Sequence, residues 1–137
     1  ANKQEVFPME LGYDSFSSEL PEDCLELLFQ LGKEKGVDPL ASIESEDYFC
    51  KLCASYSGPA EGRAAFFQAA IERDFKVMKE APVWIQGSEW PFYRGKPMMF
   101  VGQLDTVVHW DGIASTVSFY VFWDWESGKV QTITQCD

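Results

Sequence analysis

Positive charge is what this sequence has least of: 11 Lys and Arg stand against 22 Asp and Glu among 137 residues, a net charge of -11. The counterion release that drives nucleic-acid binding has the wrong sign for such a chain, and anionic lipid repels it as well. Neither nucleic acid nor a membrane is therefore an expected partner, and the natural partner of this surface is a basic protein. Histidine is the next shortage, with His109 alone. Nucleophilic catalysis needs a Ser, Cys or Thr beside a base, and a lone His between Val108 and Trp110 in a strand-like TVVHW reads as a structural or surface residue. No Gly-x-Ser-x-Gly elbow, Walker loop or Gly-x-Gly-x-x-Gly occurs. With 22 carboxylates some close pair is inevitable on folding, which strips carboxylate pairing of diagnostic value. No apolar run approaches the roughly 18 residues of a membrane span, and the opening ANKQEVFPMELGYDSF lacks the basic and apolar blocks of a signal peptide.

Cysteine is sparse too. Cys24, Cys50, Cys53 and Cys136 are too few and too unevenly spaced for a secreted disulfide scaffold, so a reducing, cytoplasmic setting is expected. FCKLC holds a Cys-x-x-Cys without a second such pair, and zinc would need Cys24, Cys136 or His109 to arrive from distant segments. The reading of that stretch is a helix with Phe49, Leu52, Cys53 and Tyr56 on its apolar face, Cys acting as a small hydrophobe. No metal and no cofactor are expected.

Apolar and aromatic side chains are plentiful, at 46% and 15%. A chain of this length buries about two-thirds of its unfolded surface, enough for one domain spanning 1–137 without staples. Composition shifts near Pro82: residues 1–80 hold 16 acidic and 8 basic side chains and no Trp, whereas 81–137 hold 6 and 3 and all five Trp. Pro21, with Glu22, Asp23 and Glu26 behind it, predicts a helix over about 21–35, closed by Gly36. Ser45-Glu46-Asp47 predicts the start of a second helix, ended by Gly58-Pro59. Ala64, Phe67, Ala70, Ile71, Phe75 and Met78 recur at helical spacing and predict a third from Pro59 to about Lys79.

From Val83 the period changes. VWIQ reads as a short strand, GSEWPFYRGKP as a loop, and MMFVGQLD and TVVHW as strands. Asp111-Gly112 marks a turn, STVSFYVFWDW has the density of a central strand buried on both faces, and Ser127-Gly128 leads into KVQTITQ as a hairpin. Helices followed by strands predict an α+β fold: a helical N-terminal half packed on a twisted, mainly antiparallel sheet of about four to six strands. In MMFVGQLD, Phe100 and Leu104 are expected in the core and the Gln103 amide on main-chain groups.

Two surfaces stand out as candidate sites. Trp90, Tyr93 and Arg94, in an aromatic loop running from 84 to 96, have the chemistry to stack on a sugar, base or peptide. Glu22, Asp23, Glu26, Glu44, Glu46 and Asp47 crowd two helix starts and offer an acidic face to a basic partner. No residue is assigned a catalytic role.

The stretch APVWIQGSEWPFYRGKPMMFVGQLD resembles the signature of the YwqG-like family, bacterial domains of largely unassigned function. The matching residues are Pro82, Trp84, Gln86, Glu89, Pro91, Gly95, Pro97, Met98, Phe100, Gln103, Leu104 and Asp105, and the resemblance spans about 81–136, ending near Gln135. Some relatives carry a Cys-x-x-Cys where this chain has Phe92 and Tyr93, so no metal is carried over. Proteins similar to that group occur in bacterial toxin-immunity repertoires. The resemblance and the acidic surface together imply a small protein-binding module, an immunity protein that neutralises a basic toxin by occlusion. An enzyme, or a small-ligand-binding domain using the aromatic loop 84–96, is the competing class.

Overall fold

The computed structural model describes residues 20–137, which form an α+β structure with the helices first. Helix α1, Glu22–Gly32, starts behind Pro21 with Glu22 and Asp23 in its first turn, and a 3-10 turn, Lys33–Lys35, carries it to Gly36. Gly36 adopts the left-handed φ of 76°, and its carbonyl accepts the Trp84 indole N–H at 2.8 Å. A side chain there would meet that indole and Pro82 at about 3.0 Å, so glycine is required twice over. Helix α2, Ile43–Ser55, begins earlier than Ser45: the cap is Ser42, whose Oγ accepts the Ser45 N–H at 3.0 Å.

Helix α3, Arg63–Asp74, follows a 3-10 turn at Ala60–Gly62 and stops well before Lys79. The chain is diverted at Phe75, which is fully buried against Phe49 and Trp90 at ring distances of 5.6 and 5.3 Å. Residues 76–78 then run parallel to a strand, with Phe100 N–H donating to the Lys76 carbonyl and Met78 N–H to the Phe100 carbonyl, both at 2.9 Å. Met78, placed by its spacing on the buried stripe, is 56% exposed. Sheet pairing has overridden a helical period that continues in the sequence.

VWIQ is not a strand. Its backbone groups are satisfied by side chains of the sheet, as described below. The segment read as a loop contains a small hairpin, β1 Phe92–Tyr93 and β2 Lys96–Pro97, turned by Arg94 and Gly95 with φ of 53° and 79°. MMFVGQLD and TVVHW are one strand, β3 Met99–Trp110. Asp111 and Gly112, φ 54° and 79°, turn it into β4 Ile113–Trp123, and loop 124–129 leads to β5 Val130–Cys136. Among the described residues the main sheet has three antiparallel strands in the order β3-β4-β5, against the expected four to six.

Strand β4 is central, but only one of its faces is fully buried: Ser118, Tyr120 and Phe122 point to the core, while Phe119, Val121 and Trp123 are half-covered. The core joins Leu28, Phe49, Phe67, Ile71 and Phe75 from the helices to Trp90, Met98, Phe100, Tyr120 and Phe122. Leu104, expected in that core, is 66% exposed. A β-bulge between Phe100 and Gly102 inserts one residue, so Phe100 and Gln103 share the inner face and Leu104 turns outward.

Candidate functional site

Three side chains of the sheet hold the segment 83–89. Gln103 accepts the Val83 N–H at 2.8 Å and donates to the Val83 carbonyl at 3.2 Å. Tyr120, fully buried, donates its hydroxyl to that carbonyl at 2.8 Å. The Gln135 carboxamide oxygen accepts from Ile85 and Gln86 at 2.9 and 2.8 Å, and its NH2 donates to Gly87 O and Glu89 at 2.8 and 2.6 Å. Asp105 completes the inner row: it accepts from Ser118 at 2.5 Å and Gln103 at 2.9 Å, and these two donors hold its carboxyl below the usual carboxylate range. The expected contact of Gln103 with main-chain groups is present.

Trp90 belongs to that core. It is 3% exposed and donates its indole N–H to the Met98 carbonyl at 2.8 Å, so its face is not available for stacking on a ligand. Tyr93 and Arg94 lie at the β1–β2 turn, where the Tyr93 ring is flanked by Arg94 at 5.3 Å and Lys129 at 5.5 Å.

Next to this turn is a cavity of about 310 Å³ that sequence reasoning did not find. Helix α2 contributes Tyr48, the end of α3 Arg73 and Asp74, the diverted segment Lys76, β2 Lys96, and the loop after β4 Trp125. Asp74 is saturated: it accepts Arg73 Nε and Nη2 at 2.8 and 2.9 Å and the Tyr48 hydroxyl. Burial pushes its carboxyl up, but the Arg73 and Tyr48 hydrogen bonds and the charges of Arg73 and Lys76 outweigh this and bring it below its ordinary value. Burial, then the Asp74 carboxylate, raise the Tyr48 phenol. The loop that carries Trp125 is closed by Asp124, which is buried and accepts the Ser127 N–H and hydroxyl at 3.0 and 2.6 Å. Lys76 Nζ lies over the Trp125 ring at 5.8 Å. No single motif could reveal a site whose parts lie so far apart in sequence; Trp125, beside the hairpin signal Ser127-Gly128, was its one local hint.

The acidic residues occupy the first turns of two helices and do not all remain uncommitted. Asp23 pairs with Arg63 at 2.8 Å, and this bond, with the Cys24 N–H, lowers its carboxyl. Asp47 pairs with Lys51 at 3.1 Å, Glu46 is half-buried, and Glu22, Glu26 and Glu44 are exposed. None of the four cysteines is joined in a disulfide among the described residues; burial first, then the neighbouring Cys24 and Cys50, push Cys53 up to about 12. Among the described residues no group of three or more His, Cys, Asp or Glu is placed to hold a metal, and no helix is long and apolar enough to cross a membrane.

The other exposed feature is apolar. Beyond the bulge, β3 and β4 present Leu104, Val108 and Trp110 opposite Phe119, Ser115 and Ile113 on the outer sheet face. Trp110 is 79% exposed, and Leu104 and Ile113 are 66% exposed. No Lys or Arg occurs between Lys96 and Lys129. With the fold and these surfaces defined, comparison of the chain with protein-family models, curated proteins and solved structures gives no match.

Proposed function

We propose that this chain is a bacterial cytoplasmic protein-binding module of the YwqG-like kind, an immunity protein that neutralises a basic toxin by occlusion. The observation that carries the reading is the outer face of the β3–β4 hairpin, where Trp110, Leu104 and Ile113 are exposed together on a stretch without one cationic side chain. Sheet edges are ordinarily blunted by Lys, Pro or a covering element. After Gly102, β3 has no Lys or Pro, and its acidic residues are Asp105 and, at the turn, Asp111. Such an edge suits an extended, cationic segment of a partner that adds to the sheet and covers the apolar face. Charge complementarity argues for a basic partner: the net charge of -11 and the carboxylates at the starts of α1 and α2 raise the rate of encounter with it. Four unevenly spaced cysteines, too few for a disulfide scaffold, support a reducing compartment.

The test uses the toxin that co-purifies with the tagged chain from its own cells, reconstituted with wild type, Trp110→Asp and a Glu44→Lys, Glu46→Lys, Asp47→Lys triple variant. Trp110→Asp should keep the melting temperature and abolish both binding and inhibition of the toxin. The triple variant should slow association more than it speeds dissociation, and binding should weaken as salt shortens the screening length below about 8 Å. A partner that is not basic, or one whose binding ignores both Trp110→Asp and salt, overturns the reading.

A further inference from the structure

A cavity bearing three cations is unexpected on a chain with this acid excess, and the disposition of their partners shows what it can hold. Arg73 is committed to both carboxylate oxygens of Asp74, and Tyr48 donates to one of them as well, so this part of the wall is electrostatically closed. Lys76 has no carboxylate within 4.0 Å among the described residues, and its ammonium lies over the Trp125 ring. Lys96 reaches Glu126 only at 3.4 Å, with both side chains more than 60% exposed, a contact that an incoming anion can replace at little cost. Pro97 is buried beside Lys96, Trp125 is 42% exposed, and the Asp124–Ser127 bonds fix the loop that carries it. Among the described residues the site therefore combines two weakly engaged ammonium groups with a flat aromatic wall.

We propose that this cavity binds a small ligand that joins an anionic head, a carboxylate or a phosphate, to a flat apolar body. The head draws the Lys76 ammonium off the Trp125 ring and sits between it and the Lys96 ammonium, displacing Glu126, and the flat body takes the vacated place on Trp125. A volume of about 310 Å³ is at the small end of ligand pockets and limits the body to a ring or two. Asp74 stays out of the binding contacts because Arg73 and Tyr48 occupy it; its role is to hold Arg73 and the α2–α3 junction in place. This site is separate from the outer face of the β3–β4 hairpin and does not depend on the immunity reading.

Benzoate, phenyl phosphate and benzyl alcohol, titrated into the full chain and followed by tryptophan fluorescence and by NMR shifts of the indole N–H groups, test the proposal. Benzoate, phenyl phosphate or both should bind saturably at about 1 mM or tighter, with the shift confined to the Trp125 resonance. Benzyl alcohol, which has the ring without the charge, should bind at least about tenfold more weakly. The tighter of the two anions identifies the head. Lys76→Gln and Lys96→Gln should each weaken binding about tenfold, and Trp125→Ala should weaken it while removing the fluorescence change. All three side chains are on the surface, so the variants fold; their melting temperatures confirm it. Absence of saturable binding by either anion up to about 10 mM overturns the proposal. So does benzyl alcohol binding as well as the anions, or undiminished binding to the Lys76→Gln, Lys96→Gln double variant.

Discussion

Gln135 shows how one side chain substitutes for a strand. Its four hydrogen bonds satisfy Ile85, Gln86, Gly87 and Glu89, and it is 2% exposed, so removing it deprives part-buried backbone groups of their partner and leaves a gap on the core side of the sheet. Gln135→Ala should cost about 2–3 kcal/mol in urea unfolding. Phe100 and Leu104 make a sharper comparison, because residues four apart in a regular strand share a face and here do not. Phe100→Ala should cost about 3–5 kcal/mol, and Leu104→Ala less than about 0.5 kcal/mol. Equal losses would mean that the bulge is absent in solution. Thiol chemistry separates in the same way: iodoacetamide near pH 8 should label exposed Cys136 well before Cys53, whose thiol is pushed up to about 12, and mass spectrometry of a time course reads the order.

Among the elements, those announced by their own ends were legible. Pro21 and Gly36 bracket α1, Asp111-Gly112 closes the β3–β4 turn, and the β4–β5 hairpin follows from Ser127-Gly128 and the strand patterns around it. What failed depended on residues elsewhere in the chain. Helix α3 stops at Asp74 because Phe100 offers residues 76–78 a strand partner, and VWIQ stays out of the sheet because Gln103, Tyr120 and Gln135 take its hydrogen bonds. The bulge had only Gly102 as a local sign. The cavity was illegible because α2, α3, β2 and the loop after β4 each contribute a piece, whereas Trp90, singled out by its neighbours in sequence, sits in the core. The Tyr48–Asp74 bond between α2 and α3 also gives the element scale a pH dependence. Asp74 has a lowered folded pKa, so its contribution is present above the unfolded value of about 3.9 and is lost as pH falls through the folded one. The urea midpoint should drop between about pH 5 and pH 2, and Asp74→Asn should remove part of that drop; an unchanged acid profile in the variant would place the linkage on other carboxylates.

For the molecule as a whole, charge and topology act on different clocks. The excess of carboxylates would set how fast the proposed basic partner arrives, while the clasp between 83–89 and the sheet sets when the fold can finish. Ile85 waits for Gln135, 50 positions later in the chain, and Val83 for Tyr120, 37 later. During synthesis α1, α2 and α3 emerge before the sheet, and segment 83–89 gains its partners in turn, Gln103 first, then Tyr120 and last Gln135. Nascent chains stalled after Trp123 should thus be cut by protease within 83–89, and chains carrying Gln135 should resist; equal resistance would mean that β5 is dispensable for closure. A single glutamine of β5 accordingly acts as a latch on segment 83–89, engaged only once the strand that carries it has been laid on the sheet.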